Sequence, residues 1–198
     1  MKPNLEGIAT LPKTGDEKFH AINAVLGFSV KDFWTWSASD LISNVMRGHL
    51  AEFIVAKAIN ATEIVRNEWA SYDLTTPDGT KVEVKSAAYL QSWSQDDYST
   101  IQFNVERTKE LDLEKGGYRG ESSRRADVYV FALLAHKDKP TVDPLNVKQW
   151  EFYVLPTSVL DQRTRSQHSI TLKTLIGLTG GSVDYFHLAD KIICCQKV

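Results

Sequence analysis

The chain has 198 residues, of which 42% are hydrophobic and 24% are charged, with five Trp and seven Tyr. This composition excludes a disordered chain, and no stretch approaches the roughly 18 consecutive apolar residues of a membrane span. The formal net charge of −2 provides no overall attraction to nucleic acid, which counts against a dedicated DNA-binding protein. It counts less against an enzyme whose acidic residues are neutralised by a metal ion.

The cysteines and the first residues predict a cytoplasmic protein. Cys194 and Cys195 are the two cysteines, and adjacent cysteines rarely bridge each other, so they indicate a reducing compartment. The opening residues lack the apolar run of a signal peptide. Since no stretch of Pro, Gly and Ser reads as a linker, we expect one domain over residues 1–198.

Two helices are predicted in the first third of the chain. Thr14 and Glu17 have the spacing of a capping box, which predicts a helix through the apolar residues that follow, ending at Gly27. Ser39 is the expected N-cap of a longer helix over residues 40–60.

One acid stands out on the longer predicted helix. The helical wheel places Arg47 and Lys57 on the polar side and Glu52 opposite them, within the apolar face. A carboxylate there requires a reason. Either it bonds to a nearby backbone amide or arginine, or it is directed at a functional site.

The stretch from Asp73 to Lys85 predicts a hairpin with a charged face. Tyr72 to Thr75 ends one strand, residues 77–79 (Pro-Asp-Gly) form the turn, and Lys81 to Lys85 form the next strand. In the second strand Val82 and Val84 point to one face, and Glu83 and Lys85 point to the other.

The register of this hairpin decides whether Asp73 joins the charged face. A three-residue loop closed by Thr76 and Thr80 sets Asp73 directly opposite Glu83, about 5 Å away at Cβ. A four-residue loop would turn Asp73 to the other side, but Gly79 favours the shorter turn. Two carboxylates and one ammonium group then converge, which suits a divalent cation and a water molecule.

The rest of the chain predicts further strands and helices around this hairpin. We expect a strand within residues 61–76, a strand over 101–105, a short helix over 106–114, a mobile loop over 116–125 and a buried strand over 127–134. Residues 150–155 predict another strand, 156–160 a short helix, and 172–178 an amphipathic helix ended by Gly180. The predicted fold class is α/β, with a mixed central sheet flanked by helices.

This arrangement resembles the PD-(D/E)XK, or restriction-endonuclease-like, superfamily of nucleases. Its motif is an acid, a spacer, a second acid, any residue and a lysine, often with a further acid from the preceding helix. Asp73, Glu83 and Lys85 match the motif, Glu52 matches the further acid, and Tyr72 stands where the proline would be. The resemblance implies an αβββαβ core over about residues 39–155, with helical additions at both ends.

The resemblance also implies a metal-dependent mechanism. Asp73, Glu83 and the backbone carbonyl of Val84 would bind Mg²⁺ or Mn²⁺, and Glu52 would complete the site directly, through water or with a second ion. Lys85 would orient the attacking water or, with a lowered pKa, accept its proton. The alternative for Lys85 is a salt bridge that only neutralises the two acids.

The substrate contacts are predicted from residue type alone. Arg124 and Arg125, with Arg119 and Arg107, are candidates for phosphate contacts, and Trp93 is a candidate for stacking on a base. Each of these side chains is also compatible with a solvated or core position.

The predicted function is therefore a Mg²⁺-dependent nuclease that hydrolyses phosphodiester bonds in DNA, in restriction, repair or defence. RNA as substrate and a homodimer both stay open. The alternative function is a catalytically inactive module of the same fold that binds nucleic acid or a protein partner.

Overall fold

A computed structural model describes residues 3, 5, 7–111, 117–164 and 167–195. The chain divides into two compact units, one of residues 1–39 with 63–66 and the other of residues 40–62 with 67–198. Among the described residues, no helix combines the length and the apolar character needed to span a bilayer.

The smaller unit is a hairpin followed by a helix. Strand β1 (Lys18–Ala21) pairs antiparallel with β2 (Ala24–Ser29), and helix α1 (Val30–Ala38) follows. Ser29 and Asp32 form the capping box of α1, because each side chain accepts a hydrogen bond from the backbone N–H of the other.

The helix predicted from Thr14 to Gly27 is therefore wrong. The Glu17 carboxylate does bind upstream backbone, since it accepts hydrogen bonds of 3.0 Å from the N–H groups of Thr14 and Gly15. The chain then continues as a strand, in which the rings of Phe19 and Phe28 pack across the hairpin 4.8 Å apart. The predicted contact between Thr14 and Glu17 is present, but the apolar residues that follow form a hairpin, because cross-strand pairing outweighs their helical spacing.

The larger unit contains the remaining elements. In chain order they are α2 (Asn44–Ile59), β3 (Leu74–Thr75), β4 (Lys81–Ala88), β5 (Gln102–Asn104), β6 (Thr108–Leu111), β7 (Tyr118–Ser123), β8 (Val128–Leu134), β9 (Trp150–Pro156), α3 (Thr157–Asp161), β10 (Ser169–Thr171), α4 (Leu172–Thr179) and α5 (Leu188–Cys195).

A four-stranded mixed sheet in the order β3-β4-β8-β9 forms the centre of the larger unit. β4 and β8 are parallel, and the two outer pairs are antiparallel. The predicted α/β class with a mixed sheet and helices is confirmed. The predicted strands at 127–134 and 150–155, the short helix after Pro156 and the helix ended by Gly180 are also confirmed.

The two faces of this sheet are covered by different layers. Val82 and Val84 pack with residues of α2 and α5, including Val55 and Ile192. On the opposite face Phe131 belongs to a second cluster. That cluster includes Phe103 of β5, Ile170 of β10 and Leu175 of α4. Every residue of β8 is buried, as expected for a strand covered on both sides.

Helix α2 is shorter than predicted and buries a different face. Ser39 caps the end of α1, and Ser43, not Ser39, precedes α2. Arg47, expected on the polar side, is buried, and its guanidinium donates to the carbonyl of Ile42 at 2.9 Å and to Asn44 Oδ1 at 2.8 Å. Glu52 is half-buried, at the border of the face that contacts the sheet.

The connection between β4 and β8 differs most from the prediction. The expected helix over 106–114 is wrong, because Thr108–Leu111 is strand β6, and the expected mobile loop contains β7, its antiparallel partner. Asn104 Oδ1 accepts a hydrogen bond from the N–H of Glu106 at 2.8 Å, a local turn that competes with a helical start. Residues 112–116 of these two predictions lie outside the described part of the chain.

The strand expected within residues 61–76 is limited to β3. Ile64 and Trp69 are exposed, so the apolar residues that suggested a longer strand do not face a core. The chain here runs through turns, one of which is held by a 3.0 Å hydrogen bond from the N–H of Trp69 to Asn67 Oδ1.

Candidate active site

The hairpin between β3 and β4 has the predicted three-residue loop. The N–H of Thr76 donates to the carbonyl of Thr80 at 2.9 Å, and Gly79 has a positive φ of 92°, which glycine adopts without steric cost. Leu74 pairs with Val82, so the preceding residue, Asp73, lies opposite Glu83. The predicted register is confirmed.

Asp73 is attached to the neighbouring strand through both its backbone and its side chain. Its N–H donates to the carbonyl of Val82 at 3.1 Å, and its Oδ2 accepts a hydrogen bond from the N–H of Val84 at 2.7 Å. The carboxylate is therefore held over β4 by a backbone donor, and its second oxygen, Oδ1, is the one available to act as a ligand.

Lys85 and Glu83 form an ion pair on the charged face of β4. Lys85 Nζ lies 2.5 Å from Glu83 Oε1, and the two side chains are 33% and 17% exposed, respectively. Burial lowers the pKa of Lys85, but the charge and hydrogen bond of Glu83 and the charges of Asp73 and Glu52 outweigh it, so the pKa is raised. A raised pKa favours an ammonium that orients a water molecule over an amine that accepts its proton.

Asp73 has a pKa raised to about 7. Burial is the largest cause, followed by the charges of Glu83 and Glu52, while the N–H of Val84 and the charge of Lys85 act in the opposite direction. The pKa values of Asp73 and Lys85 therefore both respond to the charges of Glu83 and Glu52. Glu52 exerts this effect from helix α2, although sequence reasoning assigned the buried face of that helix incorrectly.

The donor set of this site suits a hard cation. Two carboxylates on adjacent strands and the nearby carbonyl of Val84 are oxygen ligands of the kind that Mg²⁺ prefers, and a cation would relieve the repulsion that raises the pKa of Asp73. Among the described residues, no three His, Cys, Asp or Glu side chains lie close enough together to hold a metal. The site thus offers two carboxylates, with Glu52 as a third at electrostatic range.

We expect Asp73→Asn to raise the free energy of unfolding in metal-free buffer, and more at about pH 8 than at about pH 5. Between the ordinary pKa of 3.8 and the folded value of about 7, the native state keeps a proton that the unfolded chain has released. Wild-type stability therefore falls as pH rises through this window, and asparagine removes the effect, a difference on the order of 2 kcal/mol.

Urea denaturation with EDTA at the two pH values measures this difference. Asp190→Asn, the same change at an exposed position of α5, is the matched control and should leave the pH dependence as in the wild type. An equal effect of Asp73→Asn at both pH values would contradict the expectation.

The family model for bacteriophage T4 endonuclease IV matches residues 28–174, which is more than half of the chain. The chain belongs to this family. No curated protein sequence matches it significantly. The part of the chain shared with the endonuclease IV family runs from the end of β2 into α4, and it includes Glu52, Asp73, Glu83 and Lys85. This membership supports a nuclease, in agreement with the class predicted from the sequence.

A cleft runs along the charged face of the hairpin in this family member. A small cavity of about 140 Å³ is lined by Glu83, Lys85 and Arg125. Glu83 also lines a second cavity of about 480 Å³, and Arg125 also lines a third of about 520 Å³. The small cavity therefore adjoins both larger ones. Glu83 and Lys85 therefore lie between two larger recesses of the larger unit, and Asp73 lines the recess of about 480 Å³.

The predicted phosphate-binding arginines occupy different environments. All four arginines line the 520 Å³ cavity, but Arg124 differs from Arg125, Arg119 and Arg107 in its burial. The side chain of Arg124 is 0% exposed and donates to Asp161, to the carbonyl of Val105 and to the side chain and carbonyl of Gln167. Its hydrogen bonds are thus made inside the protein, and they join the end of β7 to the segment after α3.

The predicted stacking residue, Trp93, is 54% exposed in the loop after β4, and its carbonyl accepts a hydrogen bond from Lys139. It does not line any of the three cavities of the cleft just described. The aromatic residues that do line the cleft are Trp69, Tyr118 and Tyr129.

Sequence reasoning did not identify Tyr129 as part of the site. It pairs with Glu83 in the parallel register of β4 and β8, and burial, followed by the charge of Glu83, raises its pKa. The sequence predicted a buried strand over residues 127–134 and no role for Tyr129 in the site. The missing information was the parallel register, which no local pattern specifies.

Proposed function

We propose that the chain is a Mg²⁺-dependent endonuclease that hydrolyses phosphodiester bonds in DNA. The observation that carries the proposal is the register that sets Asp73 opposite Glu83, with Lys85 paired to Glu83. The family is named after an endonuclease, and its match includes these residues, which supports the same reaction here.

The proposal includes membership of the PD-(D/E)XK superfamily. In support, an acid-bearing helix precedes two adjacent strands that carry the motif, and these strands belong to a mixed sheet. Two features depart from the αβββαβ order. In the described residues, two strands, β3 and β4, follow α2 before the crossover to β8, where that order has three. The crossover itself contains β5, β6 and β7, where that order has a helix.

Asp73 Oδ1, the Glu83 carboxylate and the carbonyl of Val84 would hold the metal ion. Glu52 would act through a water molecule or a second ion. Its charge raises the pKa of Asp73, but among the described residues no three acids lie close enough together to hold one metal ion directly. When bound, Mg²⁺ supplies a Lewis acid for the phosphate and lowers the pKa of water.

The remaining residues would act on the substrate and the water. The Lys85 ammonium donates a hydrogen bond that orients the attacking water, and its charge offsets the negative charge that develops at the phosphate. Arg125, Arg119 and Arg107 hold the phosphates on one side of the site, which fixes the position of the strand without reading its sequence.

Metal binding and cleavage on the same protein test this function. We expect plasmid and oligonucleotide DNA to be cut with Mg²⁺ or Mn²⁺, and EDTA to abolish cleavage reversibly, because the carboxylates alone cannot activate the phosphate. Calorimetry should detect Mn²⁺ binding that is lost in Asp73→Asn and retained in Asp190→Asn.

Two results would contradict the proposal in different ways. A folded protein without Mn²⁺ affinity and without cleavage of any DNA would favour the inactive binding module. Cleavage of RNA oligonucleotides but not of DNA oligonucleotides of matched sequence would support phosphodiester hydrolysis and contradict DNA as the substrate.

A further inference from the structure

The cavity of about 480 Å³ beside the candidate catalytic residues has an aromatic lining that the proposed reaction does not use. Trp69 and Tyr118 line it, with Asp73 and Glu83 of the catalytic site also on its surface. Its volume lies within the roughly 300–1,000 Å³ that small-ligand sites occupy.

The two aromatic side chains reach this cavity from separate elements. Trp69 follows a turn in which Asn67 accepts hydrogen bonds from the N–H of Trp69 at 3.0 Å and from the N–H of Ala70 at 3.4 Å. Tyr118 begins β7, which is paired with β6, and Thr108 of β6 also lines the cavity. Hydrogen bonds of a turn therefore fix the backbone at Trp69, and strand pairing fixes the backbone at Tyr118. Neither ring is held by packing in a core.

Both rings that line this cavity are exposed to solvent. Trp69 is 64% exposed and Tyr118 is 73% exposed. Large aromatic side chains gain most by burial, so two exposed rings on one cavity indicate a surface that a flat, partly apolar ligand covers. Every nucleobase offers such a face, and stacking on aromatic side chains is tolerant of base identity.

The charges along the cleft give the direction in which a strand would lie. The cavity on the far side of Glu83 and Lys85 is lined by four arginines and by two acids, Glu121 and Asp161, so its net charge is positive and phosphates are favoured there. The cavity with the two exposed rings lies on the other side. Its three acids, Asp73, Glu83 and Glu68, outnumber Lys109 and disfavour a phosphate unless a cation is present. A base suits this side better than a phosphate.

We propose that Trp69 and Tyr118 form a base-stacking subsite for the nucleotide next to the scissile phosphate. The proposal rests on the nuclease function proposed above and adds the position at which the substrate is held. Stacking at this subsite places the phosphate over Asp73 and Glu83, so Trp69 and Tyr118 are positioning residues and not catalytic ones.

Equilibrium binding of a short single-stranded DNA oligonucleotide with Ca²⁺ in place of Mg²⁺, under conditions in which the oligonucleotide stays intact, tests this subsite separately from cleavage, because Ca²⁺ supplies a cation between the acids and the phosphate. We expect Trp69→Ala and Tyr118→Ala each to weaken binding about tenfold, the effect of losing one base–aromatic stack. Trp69→Phe keeps an aromatic ring and should retain most of the affinity for the oligonucleotide. Trp36→Ala removes an exposed tryptophan of α1 that lines none of these cavities and should leave binding unchanged.

An oligonucleotide with one abasic position links the effect to a base. Removing the base that occupies the subsite should weaken binding to the wild type by at least the tenfold that either ring contributes, and the same oligonucleotide should show no further loss with Trp69→Ala, because the stack that this variant removes is already absent. Additive losses at every abasic position would overturn the subsite.

The outcomes separate this proposal from the nuclease function. If the wild type cuts DNA but Trp69→Ala and Tyr118→Ala bind as tightly as Trp36→Ala, the subsite is wrong and the nuclease stands. If the wild type binds but never cuts, while the two variants bind more weakly, the subsite stands and the nuclease function is wrong. A folded wild type that binds no oligonucleotide overturns both.

Discussion

Replacing Lys85 with methionine is expected to reduce DNA cleavage by about 10³-fold at saturating Mg²⁺, within the roughly 10²–10⁴-fold range of a proton-handling or water-orienting group. Methionine keeps much of the length and apolar volume of the lysine side chain but removes the ammonium that lies 2.5 Å from Glu83 Oε1. Single-turnover rates at saturating enzyme measure the loss without a contribution from substrate binding or product release.

Lys148→Met is the matched control, since it makes the same change at an exposed lysine before β9. The alternative role for Lys85, a salt bridge that only neutralises acids, predicts a different result. In that case Lys85→Met would raise the pKa of Asp73 further and change the stability of the metal-free protein, while cleavage at saturating Mg²⁺ would stay within a fewfold of the wild type.

The part of the site that follows from local rules was predictable from the sequence. The loop closed by Thr76 and Thr80 needs a left-handed residue, Gly79 supplies it, and the resulting register fixes Asp73 opposite Glu83. The alternation of Val82 and Val84 with Glu83 and Lys85 then sets the charged face. Each of these steps involves residues fewer than about a dozen positions apart.

The parts that depend on distant pairing were not predictable in this way. The segment Thr108–Leu111 has ordinary helix-forming residues, but it pairs with Tyr118–Ser123 and becomes a strand. Tyr129 joins the site only through the parallel pairing of β4 and β8, whose residues are 46 positions apart in sequence. Tertiary pairing of this kind overrides local propensity.

Helix α2 shows a third kind of error, in which the helix is correct but its buried face is not. Val45 and Phe53 are 66% and 58% exposed, whereas Arg47 is buried and bonded to Ile42 and Asn44. A wheel that treats apolar residues as buried and arginine as exposed therefore gives the wrong face. Glu52 was singled out for a position within an apolar face, yet its relevance comes from its electrostatic effect on Asp73.

Arg124→Met is expected to lower the free energy of unfolding by about 3 kcal/mol. The side chain is fully buried, and its loss leaves the carbonyls of Val105 and Gln167 without their donor as well as breaking the pair with Asp161. Buried acceptors left without a partner each cost about 1–3 kcal/mol. Urea denaturation in metal-free buffer measures the change.

Arg107→Met is the matched control for the stability change in Arg124→Met. Arg107 binds the same Asp161 Oδ1 at 2.7 Å, but its side chain is 42% exposed, so its loss should cost less than about 1 kcal/mol. If Arg124 were instead a phosphate contact, Arg124→Met would leave stability near that of Arg107→Met. It would then weaken DNA binding and reduce the dependence of affinity on salt by about one charge. A large loss of stability with an unchanged salt dependence thus identifies Arg124 as the residue that fixes the end of β7, and leaves the phosphate contacts to Arg125, Arg119 and Arg107.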